Sequence, residues 1–147
     1  MNAKVFVDTN VLVYSRDASE PQKQAQAMAW MVHLWRTKTG NLSFQVLQEF
    51  YITVTAKLQP GLDPENARKD VRSLLVWNPL VVNDRVLENA WHIQDRFQIS
   101  WWDAVVVSAA QLADCRYLLT EDLQENQEFG SLRVTNPFHV EPTSLKS

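Results

Sequence analysis

Two acidic residues in this chain stand at the ends of short apolar runs, and runs of this kind predict buried strands. Asp8 directly follows the apolar run 5–7, and Asp122 lies just beyond the run 118–119. Ligand sites in open α/β sheets lie outside the carboxyl ends of the strands. Carboxylates gathered at such an edge repel one another unless a cation neutralises them. The sequence therefore predicts one acidic site that binds a cation.

Two further acids could join this site, although each has a simpler structural explanation. Asp103 lies in the first turn of a predicted buried helix, where Ser100 and Asp103 match a capping box that serves the helix N-terminus. Glu49 lies opposite the apolar stripe of its predicted helix, a position typical of a solvated surface residue. Each strand-tip acid could likewise cap the turn that follows it. Two strand tips and the start of a buried helix can nevertheless point into one cleft, so both interpretations stay open for Asp103, whereas periodicity alone leaves Glu49 on the surface.

The available ligand atoms favour a hard cation. The three histidines are scattered over predicted helices and the C-terminal segment, and Cys115 is the single cysteine. Oxygen ligands without a His/Cys set select Mg²⁺ or Mn²⁺ over zinc. The formal net charge is −3, the wrong sign for holding nucleic acid by bulk electrostatics. A bound metal would supply the local positive field that the chain lacks.

Strand and helix patterns alternate along the chain. The predicted strands are 5–7, 80–82, 118–119 and 132–134. The predicted helices are 11–14, 19–38, 44–58, 64–77, 84–98 and 100–113. This alternation predicts an α/β sandwich with a mainly parallel central sheet. Residues 1–141 are predicted to form one domain, followed by a polar tail over 142–147.

The predicted helix 19–38 is apolar on two sides. Its start has the form of a capping box at Ser19, and Gly40 suits the left-handed residue that closes a helix. The stripe predicted to face the core comprises Met28, Met31, Val32 and Trp35. Trp30 and Leu34 lie off that stripe, so we expect this second side to bury against a partner.

Length and composition limit the class of protein further. At 147 residues the chain is long enough for one domain with a sizeable core. The single Cys115 cannot form a disulfide within the chain, which favours a reducing compartment such as the cytoplasm. The sequence shows no export signal and no apolar run of about 18 residues, so no membrane association is expected.

Four segments, taken in order, resemble the PIN-domain proteins, and in particular the small bacterial VapC-like toxin class. These segments are VFVDTNVLVY (5–14), SFQVLQEF (43–50), WDAVVVSAA (102–110) and LLTEDL (118–123). The resemblance extends from Lys4 to about Phe138 and includes the ending VTNPF (134–138). One departure is Glu125-Asn126, where that subgroup commonly carries a His-Gly pair.

The resemblance implies a three-layer α/β/α fold and a metal-dependent endoribonuclease. The acidic constellation that it implies comprises Asp8, Glu49, Asp103 and Asp122. Asp8 and Asp103 would be the main ligands of Mg²⁺ or Mn²⁺, and Asp122 would complete the site directly or through water. Glu49 would hold a second metal or orient the attacking water. The polar side chains implied to fix these carboxylates are Thr9, Asn10 and Thr120.

The same resemblance implies an RNA substrate, a homodimer and a small antitoxin protein as partner. A haloacid-dehalogenase-like phosphatase is a second hypothesis, but that family needs another acid where Asn10 stands. A third hypothesis is a catalytically inactive binding or scaffold module that keeps the fold. Trp101 and Trp102 could stack on RNA bases, although packing at the start of the buried helix is the expectation we prefer.

Overall fold

The computed structural model describes residues 2–146, and five short strands form its single central sheet. The strands are β1 (Val5–Val7), β2 (Gly40–Asn41), β3 (Tyr117–Leu119), β4 (Glu128–Phe129) and β5 (Leu132–Thr135). Their order across the sheet is β2-β1-β3-β5-β4. Only the β4–β5 pair is antiparallel among the strand pairs of the described residues, so the sheet is mainly parallel, as predicted.

Six α-helices accompany the sheet in residues 2–146. They are α1 (Thr9–Tyr14), α2 (Pro21–Thr37), α3 (Phe44–Ile52), α4 (Pro64–Leu74), α5 (Asp84–Phe97) and α6 (Trp101–Leu112). A π-helical turn, Thr53–Lys57, continues α3, and 3₁₀ turns span Leu75–Trp77 and Pro142–Ser144. Helix α1 packs on α2 and α3, α3 packs on α4, and α5 pairs with α6, which also contacts β3. The fold is the predicted three-layer α/β/α sandwich.

The sheet register places two strand ends side by side. Val7 pairs with Leu119, and Leu119 pairs in turn with Thr135. The backbone continues this pattern one residue further, because Asp8 N donates to Leu119 O over 3.1 Å and Thr120 N donates to Thr135 O over 3.1 Å. Asp8 and Thr120 therefore leave the sheet together at its carboxyl edge.

Buried strands and a buried helix hold the carboxyl edge of the sheet in place. All residues of β1 and β3 are buried, as expected for strands of a parallel sheet covered on both faces. Residues 104–110 of α6 are all buried, which agrees with the prediction of a central buried helix. Its one internal hydroxyl, on Ser108, donates to Val86 O over 2.7 Å and so is satisfied. The first turn of α6 consequently has a rigid base.

The two faces of α2 are the reverse of those predicted. Trp30 is 1% exposed and Leu34 is fully buried, whereas Val32 and Trp35 are 54% and 40% exposed. The Trp30 indole N–H donates to Pro137 O over 3.0 Å, so the C-terminal segment covers this side of the helix. Periodicity identified both apolar sides correctly, but only the contacts made by the distant segment decide which of them is buried.

The predicted ends of α2 also differ from the structure. Ser19 does not cap the helix, because its backbone N–H donates to Asp17 Oδ1 over 3.0 Å and its hydroxyl bonds to the same carboxylate. The N-cap position is Glu20, which makes no side-chain cap bond. At the other end Lys38, with φ of 59°, adopts the left-handed conformation expected of Gly40.

Gly40 has a different role, because it belongs to strand β2. A Cβ atom at this position would collide with the indole ring of Trp77. The predicted strand 80–82 is absent from the described residues, where Leu80 forms a single bridge with Ser43. No helix within residues 2–146 is both long and apolar enough to cross a bilayer.

Candidate active site

Four side chains form a hydrogen-bonded cluster at the carboxyl edge of β1 and β3. Thr120 Oγ1 donates to Asp8 Oδ2 over 2.9 Å. Asn10 Nδ2 donates to Thr120 Oγ1 over 2.9 Å and to Asp122 Oδ2 over 3.1 Å. A weaker contact of 3.4 Å joins Asn10 Nδ2 to Asp8 Oδ2. The two strand-tip acids therefore share the amide of Asn10.

The two oxygens of Asp8 have different partners. Oδ1 accepts from Thr9 N over 2.7 Å and caps α1, so the simpler explanation of this acid is correct for one oxygen. Oδ2 belongs to the cluster with Thr120. Burial raises the pKa of Asp8 from 3.8 to about 6, against the lowering effect of the Thr120 and Thr9 hydrogen bonds. The charges of Asp122 and Glu49 add to the increase in pKa.

Glu49 lies beside this cluster and is half-buried, not on the open surface that the helical wheel predicted. Its Oε2 accepts from Thr9 Oγ1 over 2.9 Å, and its Oε1 accepts from Gln45 Nε2 over 3.0 Å. Thr9 is the first residue of α1, which packs against α3. Periodicity along α3 alone could not reveal this neighbour, because the contact depends on where α1 lies.

Asp103 stands near Asp122 and does not use its carboxylate to cap a helix. Ser100 Oγ accepts from Asp103 N over 3.1 Å and caps α6. Within residues 2–146 no group donates a hydrogen bond to the Asp103 carboxylate. The pKa of Asp122 is raised, first by partial burial and then by the charges of Glu121 and Asp103, while the Asn10 bond lowers it. The Asp103 carboxylate is thus free to bind a ligand.

Two further residues, Gln45 and Lys23, contact acids at or beside the site, and neither was predicted from the sequence. Gln45 holds Glu49 from one turn earlier on α3, and the spacing of four residues is the signal that could have identified it. Lys23 Nζ lies 2.9 Å from Glu121 Oε2 and above the rings of Tyr14 and Phe138, at 4.7 and 5.0 Å from their centroids. Its contacts join distant segments, so no local pattern could have identified Lys23.

The side chains present fit a hard divalent cation in their chemistry. The four candidate acids offer only oxygen atoms as ligands, and Mg²⁺ and Mn²⁺ prefer oxygen ligands. Burial is the main reason that the pKa of Asp8 is raised, and the charges of Asp122 and Glu49 contribute less. Across residues 2–146, no three His, Cys, Asp or Glu side chains are arranged closely enough to hold an ion together. The Asn10 amide contacts both Asp8 and Asp122, where it partly offsets their charge.

One solved structure resembles this chain in its fold. The chain is similar over 91% of its length to a chain in the "Toxin-antitoxin complex from Klebsiella pneumoniae", with 98% of that chain covered, a TM-score of 0.57 and 12% identity. At this identity the likeness concerns the fold alone. No curated protein matches the chain.

The family comparison is more specific. The PIN domain family model matches residues 5–126, a segment that includes all four candidate acids. Proteins with this domain are generally nucleases and typically use divalent metals. Because the match covers most of the sequence and agrees with the resemblance found in its motifs, the chain belongs to the PIN domain family.

Proposed function

We propose that this chain is a Mg²⁺- or Mn²⁺-dependent endoribonuclease of the VapC-like class. The observation that carries the proposal is the contact between the two strand-tip acids, Asp8 and Asp122, through the single amide of Asn10. Thr9 extends the same network to Glu49. In a family of nucleases, this edge is where phosphodiester hydrolysis is expected.

The four acids would have different roles in metal binding and catalysis. Asp8 and Asp103 would be the main metal ligands, Asp122 would bind directly or through water, and Glu49 would hold a second ion or orient the attacking water. When bound, the metal stabilises negative charge on the phosphate and makes a coordinated water more acidic. Thr120 holds Asp8, and Asn10 holds Asp122, in fixed orientations before any ion binds.

Two other functions fit the site less well. A phosphatase with Asp8 as nucleophile would need an acid at position 10, where Asn10 instead donates hydrogen bonds to its neighbours. A scaffold without activity would not require all four acids or the donors that orient them. An intact set of contacts around Asp8 and Glu49 therefore favours an enzyme.

We also propose a homodimer and an antitoxin partner in the cytoplasm. The exposed apolar side of α2, which includes Val32 and Trp35, is suited to contact a second copy of the chain.

Between α3 and α4 lies an apolar groove of about 550 Å³ whose rim carries Arg68 and Arg72. An apolar antitoxin segment with acidic flanking residues would complement this groove, and the solved neighbour is itself part of a toxin–antitoxin complex.

Cleavage of end-labelled RNA by the purified chain tests the catalytic proposal. We expect cleavage with Mg²⁺ or Mn²⁺, none after chelation, and none by Asp8→Asn or Asp103→Asn. Asp95→Asn is the matched control, since Asp95 is exposed on α5 and outside the site. Equal cleavage by Asp8→Asn would refute the assignment, and hydrolysis of a phosphate monoester without RNA cleavage would favour the phosphatase.

A further inference from the structure

Trp102 differs from the tryptophans around it in having no ring partner. Trp91 and Trp101 stack with their centroids 6.2 Å apart and their planes 27° apart. Trp102 follows directly in sequence, yet this residue is 64% exposed and its ring makes no aromatic contact within residues 2–146. The expectation that both tryptophans pack at the start of α6 is correct for Trp101 and wrong for Trp102. A single exposed ring is not by itself a site, so the position of Trp102 relative to the acids decides what it can contact.

The position of Trp102 connects it to the acidic site. It immediately precedes Asp103 in the first turn of α6, so their side chains leave neighbouring positions of the helix about 100° apart around its axis. The turn that carries both residues is held by the Ser100 cap and by the Trp91–Trp101 stack. The buried segment 104–110 anchors the rest of the helix. The backbone that carries the exposed ring is therefore fixed, so stacking of a planar group costs only the rotamer freedom of the Trp102 side chain.

We propose that Trp102 is a substrate-positioning residue that stacks on an unpaired RNA base next to the scissile phosphate. The inference rests on the proposed ribonuclease function, in which Asp103 contributes to the site where the phosphate reacts. A phosphate beside Asp103 and a base against Trp102 then belong to the same or adjacent nucleotides. A base inside a duplex is already stacked on both faces, so the ring selects nucleotides that are unpaired.

The charge of the protein makes such a contact useful. With a formal net charge of −3, the chain gains little affinity for RNA from bulk electrostatics. Stacking on an aromatic ring adds affinity for RNA that does not depend on the net charge of the protein and that every base can provide. Alanine substitution of stacking aromatics weakens single-strand binding by roughly five- to a hundredfold, so one such residue can decide which phosphate reaches the acids.

The test compares variants that change the ring without changing the fold. RNA affinity is measured by fluorescence anisotropy in chelator, where cleavage is blocked, and kcat/KM is measured with Mg²⁺. Trp102→Phe keeps an aromatic face, Trp102→Leu keeps apolar area without one, and Trp102→Ala removes both. Val76→Ala is the control, because Val76 is 76% exposed and lies on the 3₁₀ turn after α4.

We expect Trp102→Ala and Trp102→Leu to weaken binding about tenfold and to raise KM, with Trp102→Phe and Val76→Ala close to wild type. An RNA that lacks the base next to the mapped cut should bind wild type and Trp102→Ala equally. Wild-type affinity in Trp102→Ala, or an equal loss with the abasic RNA, would overturn the inference while leaving the ribonuclease intact. So would a Trp102→Ala variant that loses only a protein partner. Failure of the wild type to cleave any RNA would instead refute the proposed function, and this inference with it.

Discussion

The Thr9 hydroxyl donates a hydrogen bond to Glu49 Oε2 over 2.9 Å, across 40 positions of sequence. The backbone N–H of the same threonine donates to Asp8 Oδ1 over 2.7 Å. One residue at the start of α1 therefore orients two acids that come from different elements. This double contact places Glu49 at the strand-tip site, although the apolar stripe of α3 points elsewhere.

Glu49→Gln should remove most of the activity without loss of stability. Glutamine keeps the size of the side chain and an oxygen for the Thr9 hydroxyl, but it can neither hold a cation as a carboxylate nor accept a proton. We expect kcat/KM to fall by about a hundredfold, with an unchanged thermal midpoint. Glu88→Gln, an exposed change on α5, is the control. A fully active Glu49→Gln enzyme would show that Glu49 has only a structural role.

The raised pKa of Asp8 predicts a specific pH dependence of stability. Since its pKa is about 6 in the folded chain and 3.8 ordinarily, the folded state binds more protons than the unfolded state between these values. The contribution of Asp8 to the free energy of unfolding therefore falls as pH rises from about 4 to about 6, by on the order of 3 kcal/mol. The Asn side chain of the Asp8→Asn variant cannot ionise, so the free energy of unfolding of this variant does not decrease for this reason.

Thermal melts of wild type and Asp8→Asn in chelator, from pH 4 to pH 8, measure this effect. The variant should gain several degrees relative to wild type between pH 4 and pH 6, and the gap should then stay constant. Asp95→Asn should follow the wild-type curve throughout. If the thermal midpoints of wild type and Asp8→Asn change in parallel with pH, ionisation of Asp8 does not lower the free energy of unfolding, which would contradict this prediction.

Substitutions on the two sides of α2 should have opposite consequences. Trp35→Glu and Val32→Glu place a charge on the exposed side and should convert a dimer to a folded monomer. Trp30→Glu should unfold the chain, because it buries a charge and removes the bond to Pro137. Sedimentation velocity at micromolar concentration, together with far-UV circular dichroism, distinguishes these effects. A wild type that is already monomeric, or a Val32→Glu variant that stays dimeric, would contradict the proposed interface.

Local patterns predicted the parts of the site that lie along one segment of chain. Asp8 and Asp122 were predictable because an apolar run followed by an acid marks a strand tip, and α6 because it is apolar all round. The reversed faces of α2 and the position of Glu49 depend on long-range packing that periodicity does not contain. Strands β2 and β4 have two residues each, too few for any alternation of apolar and polar residues to appear.

The departure from the family pattern at Glu125-Asn126 has a local explanation. Asn126 adopts φ of 68°, a left-handed conformation that glycine and asparagine tolerate best. Glu125 Oε1 lies 3.0 Å from His139 Nδ1, which joins the loop to the C-terminal segment. The bond from Asn10 to Asp122 is formed alongside this substituted loop. Asn126 thus adopts a backbone conformation that glycine also favours.

Calorimetric titration with Mn²⁺ at pH 7.5 tests most directly whether these acids form a metal centre. We expect saturable binding to the wild-type chain, weakened at least tenfold in Asp8→Asn and in Asp103→Asn and unchanged in Asp95→Asn. Binding should also weaken below about pH 6, where Asp8 takes up a proton. Wild-type affinity in both site variants, or no binding to the wild type, would contradict the account.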